Sequence, residues 1–195
     1  LKLFKPGQVV VDLGEGDDTF DATRLLDKTV TFDVRGGDGD DTILFGTGGG
    51  TAVDLTGSNQ LDASRSQVPV TLVGGAGDDT LRGSAGADLL DGGSGTNTVD
   101  YSASAAGVTV YLDGTAGTGG DAAGDVLSNI QHVLGSDFAD RLAGANGDEV
   151  LDGAAGAADG LDFEVEVVFT AGLGVVDDVG ADAPAARHGA ARAAL

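Results

Sequence analysis

Residues 74–100 read GGAGDDTLR, GSAGADLLD and GGSGTNTVD, three nine-residue units laid end to end. Each follows G-G-x-G-x-D-x-U-x, where U is a large aliphatic residue. Six residues of turn composition precede three of strand composition in every unit. Working outward, units in the same pattern stand at 36–44 (GGDGDDTIL), at 13–21 (LGEGDDTFD) and, more loosely, at 135–152 (GSDFADRLA, GANGDEVLD). The pattern recurs over most of residues 13–162. One GxGxxD carries little information; this many in phase specify units that stack on one another.

Composition points the same way. Gly numbers 35, aromatics are 5%, Trp and Met are absent, and much of the 41% hydrophobic content is Ala. A globule built from this chain is short of core, whereas a solenoid needs only one or two aliphatic residues per coil. The net charge is −22, from 32 carboxylates against 10 Lys and Arg. Self-repulsion of that size opposes compaction until cations neutralise it. It also excludes nucleic acid as a partner, because phosphate binding needs basic residues. No apolar run approaches the ~18 residues of a membrane span, and no signal peptide opens the chain, so membrane insertion is not expected. Without cysteine, disulfides and thiolate-held metals are excluded. The chain opens on Leu1 and not on Met, which reads as a segment of something longer.

These units resemble the RTX, or haemolysin-type, calcium-binding repeats. The resemblance implies an all-β fold, a right-handed parallel β-roll (β-solenoid) with calcium-binding turns. In that family one nonapeptide is half a coil, so turns about eighteen residues apart stack along one edge. Several Ca²⁺ ions are implied, each between stacked turns. Calcium takes six to eight oxygens at about 2.3–2.6 Å, which carboxylates and backbone carbonyls supply. Glycine lets the turn backbone adopt positive φ and aim carbonyls inward. The implied ligand positions are Gly14, Gly16 and Asp18; Gly36, Gly37, Gly39 and Asp41; Gly74, Gly75, Gly77 and Asp79; Gly83, Gly86 and Asp88; Gly92, Gly93, Gly95 and Asn97. Asp140, Glu149 and Asp159 complete the set in the later repeats. Departures from the pattern are Asn97 and Glu149 in sixth place, Ser84, Ser136 and Ala145 in second, and Phe138 in fourth.

Spacing assigns edges. Asp18 to Asp41 is 23 residues, Asp41 to Asp79 is 38 and Asp79 to Asn97 is 18. One edge is therefore expected to carry the turns 14–18, 36–41, 74–79 and 92–97, with Gly57–Gln60 at the missing level. The opposite edge is expected to hold Asp88, with Gly46–Gly50 and Ser64–Gln67 as turns without ligands. Asp140 and Asp159 are expected to stack in a second array. The eighth position has the opposite role: Phe20, Ile43, Leu81, Leu90, Val99, Leu142 and Leu151 are expected to line up inside.

Along the chain, residues 1–13 read as a lead-in strand, 14–100 as the first β-roll array, 101–134 as irregular connecting coils and 135–162 as a second array. Within them, strands are expected at 29–34, 51–55, 108–112 and 129–134, and a surface loop at 113–125. Residues 163–180 read as a β-rich cap, since an open solenoid end is an unpaired sheet edge. Residues 181–195 form an Ala- and Arg-rich tail.

No enzyme signature survives inspection. His132 and His188 are the only histidines and neither lies in H-E-x-x-H. The glycine runs 46–50 and 117–120 lack a G-K-[ST] ending, and an EF-hand started at Asp38 has Gly49 where its twelfth-position Glu belongs. Tyr101 and Tyr111 are too scattered to form a sugar-stacking platform. The expectation is a non-catalytic, secreted or cell-surface calcium-binding module. As the resemblance implies, it folds outside the cell after export by type I secretion machinery, with catalytic or adhesive domains elsewhere in a longer chain. The rival readings are a calcium-rigidified spacer of an adhesin or surface-layer protein and, in a different class, a β-helix enzyme acting on polysaccharide.

Overall fold

The computed structural model describes residues 7–54, 56–145 and 149–153. Strands pair in parallel, one coil apart, as the repeat period requires. One sheet has six strands in the order β1 (Gln8–Glu15), β3 (Thr31–Asp38), β5 (Gly50–Val53), β7 (Thr71–Val73), β9 (Leu89–Asp91) and β12 (Val126–Ser128). The facing sheet has seven, in the order β15 (Val150–Asp152), β13 (His132–Leu134), β10 (Thr98–Asp100), β8 (Thr80–Arg82), β6 (Gln60–Asp62), β4 (Thr42–Leu44) and β2 (Thr19–Asp21). A further parallel pair joins β11 (Thr109–Tyr111) to β14 (Arg141–Ala143). The fold is all-β, a parallel β-solenoid, and the helical content among the described residues is one 3₁₀ turn at Gly120–Ala122. Pairing is continuous across the expected array boundary, since β10 pairs β13 and β13 pairs β15.

The core follows from strand length. In a three-residue strand the middle side chain points to one face and its neighbours to the other. Register then stacks the middle residues into ladders. In the seven-stranded sheet the ladder is Phe20, Ile43, Leu61, Leu81, Val99, Val133 and Leu151. In the other sheet it is Val34, Ala52, Leu72, Leu90 and Leu127, all at most 2% exposed. Each large aliphatic residue so buried contributes about 1.5–3 kcal/mol. Phe20, Phe32 and Phe45 pack ring against ring near the N-terminal end, with centroids 5.1–6.5 Å apart.

Several expectations are corrected. The eighth-place residues do lie inside, with Leu90 in the ladder of the other sheet and Leu142 in the third pair, because consecutive nonapeptides feed opposite faces. Leu61 and Val133, outside the recognised units, fill the missing rungs. β1 and β3 extend into their glycines, where Gly14 pairs with Gly37, so those turns are shorter than six residues. The strand expected at 51–55 ends at Val53. The strand expected at 108–112 narrows to Thr109–Tyr111, and that at 129–134 narrows to His132–Leu134 because Asn129 turns left-handed at φ 55°. Residues 113–125 are not simply a surface loop: the segment folds back by hydrogen bonds from Gly117 N–H to Asp125 O (2.8 Å) and from Gly124 N–H to Gly117 O (2.9 Å), burying Ala122 and Asp125 completely. Asp159, the expected cap and the tail lie outside the described residues.

Candidate metal centre

On the edge where the chain passes from the six-stranded to the seven-stranded sheet, the turns 14–18, 36–41, 54–59, 74–79 and 92–97 stack in one column. Asp41 and Asp79 therefore share an edge. The column is tight because its fourth-place glycines lie directly over one another. Gly39, Gly57, Gly77 and Gly95 take φ of 133°, 112°, 138° and 122°, and a Cβ on any of them would strike the glycine one level up. A side chain is excluded both by φ and by space.

The sixth-place side chains form an inner ladder. Asp18 N–H donates to Asp41 Oδ1 (2.8 Å), Asp41 N–H to Asn59 Oδ1 (2.8 Å) and Asn59 N–H to Asp79 Oδ1 (2.8 Å). Asp79 N–H then donates to Asn97 Oδ1 (3.0 Å), and Asn97 N–H to Gln131 Oε1 (2.8 Å). Every rung thus commits one oxygen to the turn before it. The other atom decides the chemistry. Asn59 Nδ2 donates to two carbonyls, Gly57 O (3.3 Å) and Gly74 O (3.2 Å), and Asn97 Nδ2 donates to Asn129 O (3.1 Å). At Asp41 and Asp79 that second atom is Oδ2, an acceptor. It is buried in both residues without a hydrogen-bond partner, and each residue is 1% exposed. Burial lifts the Asp79 carboxyl above the ordinary carboxylate range, and the hydrogen bond from Asn59 N–H offsets only part of this. A buried, unpaired carboxylate oxygen is costly until a cation meets it.

An outer ladder, not foreseen, explains the recurring Asp-Asp pairs. Asp40 N–H donates to Asp17 Oδ1 (2.9 Å), Ser58 N–H to Asp40 Oδ1 (2.7 Å) and Thr96 N–H to Asp78 Oδ1 (2.7 Å). These bonds run in the opposite direction to the inner ones. The first Asp of each pair is therefore structural and solvated, and the second faces inward.

The second edge differs. Asp88 accepts from Val70 N–H (2.8 Å), Ser84 N–H (2.5 Å) and the Ser84 hydroxyl (3.1 Å). Asp140 accepts from Val108 N–H (2.8 Å), Ser136 N–H (2.7 Å) and the Ser136 hydroxyl (2.7 Å). Here Ser in second place adds a hydroxyl donor that Gly lacks, and hydroxyl and backbone N–H together leave neither carboxylate oxygen unmet. Glu149 closes its turn similarly, with Oε1 accepting from Ala145 N–H (3.3 Å). Asp125, which no repeat pattern marks, accepts from Asp88 N–H (2.8 Å) and the Tyr101 hydroxyl (2.8 Å). Burial pushes its carboxyl up to about 7, with the charges of Asp88 and Asp121 adding to the effect. By contrast, exposed Asp21, Asp27 and Asp113 are held below the ordinary range by the hydroxyls and N–H groups of Thr23, Thr29 and Thr115, two residues on.

Among the described residues no three His, Cys, Asp or Glu side chains converge. A cation on the first edge must therefore take most of its oxygens from the turn backbone, which is what the Asn59 amide engages. In comparisons with known proteins, the family model of the RTX calcium-binding nonapeptide repeat, in four copies, matches residues 71–99 and 130–157. No curated protein and no solved structure matches the chain. The inner aspartates, the stacked glycines and this match agree, and the chain carries RTX calcium-binding nonapeptide repeats folded as a parallel β-roll.

Proposed function

We propose that this chain is a module of a larger secreted protein that completes its folding on calcium outside the cell, after passage through a type I secretion system. The observation that carries the reading is the contrast between Asn59 and its neighbours Asp41 and Asp79. One stack holds neutral rungs, Asn59 and Asn97, that close themselves and two acidic rungs, Asp41 and Asp79, that each keep a buried oxygen unmet. Asp41 and Asp79, with carbonyls of their own and adjacent turns, are the residues that would hold calcium. Bound calcium supplies the positive charge that lets these carboxylates remain ionised in a dry turn. Asp18 lies at the N-terminal end of the same column and extends it. Asp88, Asp140 and Glu149 act mainly as self-closed turn locks.

The secretion logic rests on affinity and charge. Sites of roughly 10⁻⁴–10⁻³ M are filled outside cells and empty in cytosol. A chain of net charge −22 without that counter-charge stays expanded, a state suited to export. Far-UV circular dichroism and hydrodynamic radius, followed from EDTA to about 10 mM calcium, test the proposal. A cooperative change from an expanded chain to a compact β-signal, not reproduced by magnesium, is expected. A chain already folded in EDTA and indifferent to calcium overturns it.

A further inference from the structure

We infer that Asp54 is a second carboxylate ligand at the Asp41 level, making this the tightest calcium site of the column. The inference rests on the calcium reading above. Asp54 occupies the first place of its turn, where Gly36, Gly74 and Gly92 stand in the neighbouring turns. It is 2% exposed, and its Oδ1 accepts from Gly37 N–H in the turn before it (3.1 Å). Its Oδ2 is aimed at the same spot as Asp41 Oδ2: a Cβ placed on Gly36 would collide with both oxygens at once. At Gly74, the equivalent place one acidic rung further on, the three atoms nearest a Cβ all belong to Asp79, and the first place of the next turn is Gly92. Two buried carboxylates therefore converge beside Gly36, one of them Asp41 with an unpartnered oxygen, while the Asp79 level has a single carboxylate.

Like charges side by side in a dry turn repel, and a divalent cation between them removes the repulsion. Calcium affinity rises with the number of charged ligands, so the doubly acidic level binds first.

The test is a calcium-binding isotherm of the full chain by chelator competition and calorimetry, for wild type, Asp54→Asn, Asp54→Gly and Asp79→Asn. Asp54→Gly restores the residue of the neighbouring turns, and Asp54→Asn keeps the volume and the acceptor for Gly37 N–H. Both are expected to weaken the tightest class of site at least about tenfold while the weaker class is unchanged, and Asp79→Asn is expected to remove a weaker site. Wild-type isotherms for both Asp54 variants, with a site lost in Asp79→Asn, overturn the role of Asp54 alone. A wild type that binds no calcium overturns the calcium reading itself.

Discussion

Replacing Asp79 with Asn is expected to stabilise the calcium-free chain, the reverse of the usual outcome at a buried polar position. The reason lies on the adjacent rungs of the same ladder, where Asn59 and Asn97 already show what an amide does there. Asn at 79 keeps the acceptor for Asn59 N–H and turns the orphaned Oδ2 into a donor, expected to reach turn carbonyls as the amides of Asn59 and Asn97 do. Relieving a buried unsatisfied acceptor contributes about 1–3 kcal/mol and the new hydrogen bond about 1 kcal/mol, so the gain in EDTA is about 2–4 kcal/mol. The same change removes a calcium ligand. For a site of about 10⁻⁴–10⁻³ M, calcium at about 10 mM contributes about 1.5–3 kcal/mol, and that increment is lost. Urea unfolding followed by circular dichroism, in EDTA and in calcium, reads both numbers. If wild type is unfolded in EDTA, the gain appears as recovered β-signal in the variant. A variant less stable than wild type in EDTA, or one that keeps the full wild-type calcium increment, refutes the reasoning.

Two more predictions concern the interior and the second edge. Leu81→Ala opens a gap between Leu61 and Val99 in a fully buried ladder and is expected to cost about 2–5 kcal/mol in saturating calcium by urea unfolding; a loss under about 1 kcal/mol would mean the coils close over the gap. Asp125 makes the fold sensitive to pH: its carboxyl is pushed up to about 7 when folded against 3.8 for the ordinary group, so the folded chain holds the extra proton between those values. Its contribution is fully present below about pH 4 and is lost as pH rises through about 7, a span of about three pKa units or about 4 kcal/mol. Asp88, raised in the same direction by burial, adds to this slope. Asp125→Asn is expected to flatten the pH dependence of the urea midpoint in saturating calcium across that window, and an unchanged slope would count against the assignment.

The parallel stack, its two alternating faces and the shared edge of Asp41 and Asp79 were legible in the chain, because a nine-residue period leaves few ways to bury one aliphatic side chain per unit. Ile43, Leu81 and Val99 follow from that period alone. Leu61 and Val133 do not, since the first unit keeps only Gly57 of the glycines that mark a repeat and the second keeps none, and only pairing with β8 and β10 reveals them as rungs. The inward role of the second Asp in each pair was readable from the motif; the outward, oppositely directed role of the first was not, because its partner is an N–H one coil away. Ser84 and Ser136 looked like defects in the pattern, and their hydroxyls prove to be the donors that close Asp88 and Asp140. Period thus determined which residues stack. Tertiary structure decided which carboxylates keep a buried oxygen without a hydrogen-bond donor, because hydrogen-bond satisfaction depends on neighbours about eighteen residues or more distant in the chain, and it is this that separates Asp41 and Asp79 from the rest of the acidic residues in the stack.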